Sequence, residues 1–166
     1  MKQLIKQLSK LSKNKSFISW RKGVSKNAQE QIDGLFQLSI QKAYQMLQEY
    51  SDMVAFGYSI GLGANGAKFH IINGDNTDDT FPPNSIIIEK LKNDFKSNLD
   101  ELSAIAIAYR VKLPKGSDAI IIECEHKDGI ALQIIVPYQI KTLAKSSVDI
   151  ITDSAVTIQI DKFIWG

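Results

Sequence analysis

The chain has few of the residues on which small secreted or metal-bound proteins depend. It holds one cysteine, Cys124, which excludes an internal disulfide framework and any multi-cysteine metal site. Two histidines, His70 and His126, speak against a histidine-built metal centre. Four prolines in 166 residues, with 44% hydrophobic residues, do not make a disordered chain. No apolar run approaches the roughly 20 residues of a membrane-spanning helix. The length suits one globular domain, able to bury roughly 70% of the surface its unfolded form exposes.

One absence is local. Residues 1–29 contain no acid but eight basic side chains: Lys2, Lys6, Lys10, Lys13, Lys15, Arg21, Lys22 and Lys26. The remaining 137 residues hold 12 basic and 18 acidic side chains, so an arm of +8 precedes a body of −6. The arm also carries Leu4, Ile5, Leu8 and Leu11 at helical spacing. Such a segment either binds a polyanion or membrane surface, or folds back on its own acidic domain. Its regularly spaced lysines leave no apolar stretch for a signal peptide, so a cytoplasmic location is expected. The expected division is a basic amphipathic arm over 1–27 and a single domain over 28–166.

Ile32, Phe36, Ile40, Ala43, Leu47 and Tyr50 fall on one face of a helix from about Ala28 to Tyr50. Met53–Ile60 and Lys68–Ile72 read as two strands around the glycine-rich turn 61–66, and 73–83 as an acidic loop. A second helix starts at Asn84 or Ser85 and carries Ile88, Leu91, Phe95, Leu99 and Leu102. Strands follow over 103–113, 118–126 and 130–138. Residues 141–153 are ambiguous, and 155–165 read as a last strand.

The Lys127-Asp128-Gly129 turn fixes a register. A two-residue loop would set Glu123 and Glu125 against Ile134 and Leu132. A three-residue loop pairs Cys124 with Leu132, Ile122 with Ile134 and Ile120 with Val136, which leaves one clean apolar face. A one-residue slip would reverse every side chain, and Gly129 suits the left-handed position such a loop needs, so the three-residue loop is expected.

The fold class expected is α+β: an antiparallel sheet with two main helices on one face, in the order α-β-β-α-β-β-β plus a C-terminal strand. The core would place both helices against Ile105, Ile107, Ile120, Ile122, Ile134 and Val136. This element order resembles the roadblock and profilin-like group of small α+β domains, a likeness of topology and not of activity.

Chemical motifs are sparse. Gly61-Leu62-Gly63-Ala64-Asn65-Gly66 matches G-x-G-x-x-G, but a strand follows it where a dinucleotide site needs a helix. Cys124 and His126 share a strand face about 7 Å apart, a spacing that does not forbid a nucleophile and its base but does not favour them, and a buried cysteine beside a histidine is expected. Asp75, Asp78 and Asp79 with Asn73 and Asn76 make an oxygen-rich loop without the EF-hand spacing. No catalytic, cofactor-binding or metal-ligating residue is assigned. The row Ala104, Ala106 and Ala108, with Ile121 and Ile135, is expected to form a small flat apolar centre on the second sheet face. Arg110, Lys112, Glu123 and Glu125 would rim it, with Gln133 beside them. Exposed apolar surface of this kind marks interfaces, and Ala104, Ala106, Ala108, Arg110, Glu123, Glu125 and Gln133 form the candidate interaction surface.

Leu47-Gln48-Glu49-Tyr50 leading to Ala55-Phe56-Gly57, then Ser117-Asp118-Ala119-Ile120, Glu125-His126-Lys127-Asp128-Gly129 and Val136-Pro137-Tyr138, are together similar to a group of small bacterial proteins of unassigned function. The resemblance covers about residues 30–140, and its most specific part is the hairpin. Family members usually carry proline before the Phe-Gly pair, where this chain has Ala55. The resemblance carries over no catalytic residue. Proteins of this type also serve as immunity partners of secreted bacterial toxins.

The function expected is therefore a non-enzymatic interaction protein: a cytoplasmic immunity or inhibitor protein binding a protein partner such as a toxin, or associating with itself through the sheet face. The alternatives are a small-molecule binder or small enzyme around Gly63, His70 and His126, and a nucleic-acid-associated protein acting through the arm.

Overall fold

The computed structural model describes residues 2–11, 13–72, 82–141 and 147–166. The acidic loop centred on Asp75, Asp78 and Asp79 lies outside them. The helices are α1 (Lys2–Leu11), α2 (Lys15–Ser19), α3 (Lys26–Tyr50) and α4 (Asn84–Ser97). The strands are β1 (Phe56–Gly61), β2 (Ala67–His70), β3 (Leu102–Lys112), β4 (Asp118–His126), β5 (Ala131–Lys141), β6 (Ser147–Ile150) and β7 (Val156–Gln159). Short 3-10 turns cover Leu99–Glu101 and Thr152–Ser154.

The α+β class and the antiparallel sheet are as expected. The strand order is β2-β1-β3-β4-β5-β6, and every pairing is antiparallel. β6 and β7 both pair with β5, at Tyr138–Lys141 and at Leu132–Ile135. They form one interrupted edge, broken by the Thr152–Ser154 turn. The hairpin register is the one the apolar face required: Cys124 opposes Leu132, Ile122 opposes Ile134, and Ile120 opposes Val136. His126 N–H donates to the Ile130 carbonyl at 2.9 Å, and Gly129 takes φ +109°.

The helices do not share a face, which corrects the expected packing. Antiparallel neighbours point to the same side, so Phe56, Tyr58 and Ile60 lie with Ala104, Ala106 and Ala108, and these with Ile122, Cys124 and His126. That side packs against Ile32, Leu35, Ile40, Ala43 and Leu47 of α3. The alanines, all wholly buried, form a low floor on which the long helix rests. Ile105 and Ile107 point the other way and meet Ile87, Leu91 and Phe95 of α4. β3 is thus covered on both faces from Ser103 to Ala108. A strand buried on both sides carries no polar alternation, so its hydrophobic pattern does not reveal which parity faces which helix.

Helix ends follow local chemistry. The Ser25 side chain accepts from the Ala28 N–H to cap α3, and Ser51 closes it in the left-handed region at φ 56°. Tyr50, expected in the helix stripe, is 73% exposed. The last strand is shorter than expected: β7 ends at Gln159, and residues beyond it run over the sheet without strand pairing among the described residues.

The arm docks on its own body. Leu4, Leu11 and Phe17 are buried in the same core as Tyr138, Val148, Ile150 and Ala155. Asn14 Nδ2 donates to the Ala155 carbonyl at 3.0 Å, and Thr157 N–H donates to Ser16 Oγ at 3.3 Å. Ile5 stays 59% exposed, and Lys2, Lys6 and Lys10 face solvent. Among the described residues, no helix is long and apolar enough to cross a membrane.

Candidate functional site

The structure splits the expected interaction surface between two sides of the sheet. Ala104, Ala106 and Ala108 lie beneath α3 and are not surface at all. Arg110 shares their side and pairs with Asp52 at 3.2 Å and Asp118 at 3.9 Å. Glu123, Glu125 and Gln133 lie on the α4 side. The cause is the β3–β4 register, which sets Ile105 and Ile107, not the alanines, beside Glu125 and Glu123.

Glu125 is wholly buried, not part of an exposed acidic patch. Its carboxylate accepts from the N–H groups of Phe163 at 3.1 Å, Ile164 at 2.7 Å and Trp165 at 3.1 Å. Burial raises its pKa above the ordinary value, while the three N–H donors and Lys162 pull it back down. It is a structural anchor for the C-terminal segment, whose Ile164 plugs the α4 side of the core.

Glu123 accepts from the Tyr109 hydroxyl at 2.7 Å, and burial followed by this bond raises the Tyr109 pKa. On the side of β4 and β5 that carries this pair, Ala119, Ile121, Glu125, Ala131 and Pro137 are buried, and Glu123, Gln133 and Ile135 are partly open. Tyr109, Val111 and Ile135 are half-buried, and Val156 and Ile158 are 41% and 43% exposed. Ile158 stands opposite Gln133 and Val156 opposite Ile135, so all lie on one side. This strip, not the alanine row, exposes apolar surface on the α4 side of the sheet. Its marker in the sequence is the alternation of apolar Val156 and Ile158 with polar Thr157 and Gln159 in β7.

The histidines do not meet. β2 and β4 are separated by β1 and β3, about 14 Å across the sheet, and His70 and His126 point to opposite sides. Gly63 lines a different recess of about 250 Å³ with Asn27, Gln31, Ser103 and Lys127. A joint Gly63/His70/His126 site is therefore excluded. His126 is wholly buried and belongs to a polar network under α3. Its Nδ1 accepts from the Asp128 N–H at 3.0 Å, so Nε2 carries the hydrogen and donates to Gln31 Oε1 at 2.8 Å. Gln31 Oε1 also accepts from Ser103 Oγ at 3.0 Å. Cys124 is wholly buried, and burial, with Glu123 and Asp33, pushes its thiol up to about 12. It is no nucleophile for His126.

His70 has a different setting. Its Nε2 lies 2.6 Å from Ser59 Oγ, and its ring meets Phe95 edge-on at 5.1 Å between centroids. Both line a cleft of about 540 Å³ between the β1–β2 hairpin and the end of α4, together with Lys68, Asp94, Asn98 and Glu101. Pairing β1 with β2 across the glycine turn would have placed Ser59, Lys68 and His70 on one side from the sequence. Among the described residues, no group of three or more His, Cys, Asp or Glu side chains could hold a metal ion.

No known protein family, curated protein or solved structure matches this chain.

Proposed function

We propose that this chain is an interaction protein, an immunity-type inhibitor that binds a basic protein partner through the partly exposed β5-β7 strip around Glu123. One observation supports the reading: Val156, Ile158 and Ile135 expose apolar surface beside the Glu123 carboxylate, half-buried and held by Tyr109. Apolar surface gives such a patch its affinity, and a carboxylate within it favours a partner that presents a cation. Self-association fits less well, because stacking two copies would bring the Glu123 carboxylates towards each other.

The partner to test is the product of the adjacent gene, mixed with this chain in titration calorimetry. A 1:1 complex is expected, weakened at least 100-fold by Ile158→Asp and Ile135→Asp. Glu123→Gln should reduce its salt dependence. Binding by the Ile→Asp variants as tight as by the unaltered chain would overturn the reading, as would a failure to bind that protein. Concentration-dependent dimerisation lost in the same variants would assign the surface to self-association instead.

A further inference from the structure

We propose that Ser59, His70 and Lys68 form a nucleophile, base and cation that hydrolyse small activated acyl esters in the cleft between the β1–β2 hairpin and the end of α4. The site lies apart from the β4-β5-β7 surface and stands independently of its reading.

The sheet register assembles it. Ser59 sits directly opposite Lys68, and His70 directly opposite Gly57, so all three side chains project on the α4 side. The 2.6 Å contact between Ser59 Oγ and His70 Nε2 is the distance over which an imidazole takes a hydroxyl proton. Gly57 keeps the site compact. A Cβ there would stand 3.0 Å from Phe95 Cζ, so the missing side chain lets the Phe95 ring close against the imidazole. Lys68 on its own strand and Asp94 on α4 act on the charge of the base, and Glu101 on the turn after α4 lines the same cleft. Burial and Lys68 lower the pKa of His70 more than Asp94 raises it, which leaves the ring neutral near pH 7 and free to accept the Ser59 proton. Lys68 makes no ion pair among the described residues, and it lines the same cleft. Its ammonium is available to a carbonyl oxygen that becomes anionic.

The steps balance with water as the only co-reactant. Ser59 Oγ bonds to the ester carbonyl carbon as its proton passes to His70 Nε2. The tetrahedral oxyanion lies against Lys68. It collapses, the carbon–oxygen bond to the leaving group breaks, and His70 gives that oxygen its proton. Water then attacks the acyl-serine, losing a proton to His70. The acid leaves, and His70 returns the proton to Ser59. Ser59 is only 4% exposed, which restricts the acyl group to a small one.

The test uses the full chain with p-nitrophenyl acetate as substrate and a fluorophosphonate as covalent probe, the adduct being mapped by mass spectrometry. The expected result is one adduct per chain on Ser59, with esterase turnover that falls about 100-fold in His70→Gln, the usual scale of a lost general base. Lys68→Met should lower kcat with less effect on KM. The rate should be level above pH 7 and drop as the pH falls below 6.5, where His70 begins to take a proton. Adduct mapping on the unaltered chain needs no variant, so poor folding of either variant would not blunt the test. No adduct on Ser59, or an adduct that forms as fast in folded His70→Gln, would overturn the proposal.

Discussion

At the scale of single residues, His126 fixes its own charge state. Buried and hydrogen-bonded as the Nε2–H form, it has its pKa lowered chiefly by burial, and His70 is lowered likewise. The unfolded chain takes these protons near pH 6.5, and the fold does so only at lower pH. Between those values the unfolded state binds more protons, so stability rises with pH; it is fully present above about 6.5 and lost as pH falls through the folded values. Glu125 acts in the opposite sense. Its raised pKa gives a contribution present below its ordinary range and lost as pH rises through the folded value. The readout is therefore a difference. The urea midpoint of the unaltered chain should drop more between pH 7.5 and 5.5 than that of His126→Gln. Equal drops would mean that His126 is not held neutral. Little of this was legible in the sequence, because Gln31 reaches His126 from 95 residues away.

At the scale of elements, legibility depended on whether a strand has one buried face or two. The β4–β5 register could be read because only one alignment removes carboxylates from among large aliphatic side chains. β3 could not, since α3 lies over its alanines and α4 over its isoleucines. The same misreading placed Glu125 on an open surface, when it anchors residues Phe163–Trp165. A carboxylate accepting three N–H groups is replaced poorly by an amide, which turns its own N–H groups towards those donors. Glu125→Gln should therefore cost about 2 kcal/mol, on the scale of hydrogen bonds to a buried charge. The loss should be local at first. Amide exchange at Phe163, Ile164 and Trp165 should speed up before that of β4, which hydrogen-exchange mass spectrometry would resolve. Uniform acceleration across β4 and β5 would place the anchor in the global fold and not in the C-terminal segment alone.

At the scale of the whole molecule, the +8 arm and −6 body are joined less by charge than by apolar contact. The lysines of α1 face outward, while Leu4, Leu11 and Phe17 close the core beside β6. The sequence carried the amphipathic stripe but not its destination, because a helix with one apolar face looks the same whether a membrane, a partner or its own domain receives it. Burying each of those side chains is worth about 2 kcal/mol, so the three together are comparable to the stability of many entire domains. Deleting residues 1–19 should therefore lower the thermal midpoint steeply or abolish cooperative unfolding, and expose the surface around Val148 and Ile150 to hydrophobic dye. Replacing Lys2, Lys6 and Lys10 with Gln should leave the midpoint nearly unchanged, since exposed charges contribute little. That pair of results would separate two roles the arm could combine. If the lysine variant unfolds normally but loses salt-sensitive retention on DNA or RNA, the outer face of a structural helix also binds a polyanion. If the deletion melts like the full chain, the arm is not part of the core, and the docking seen here does not stabilise the fold.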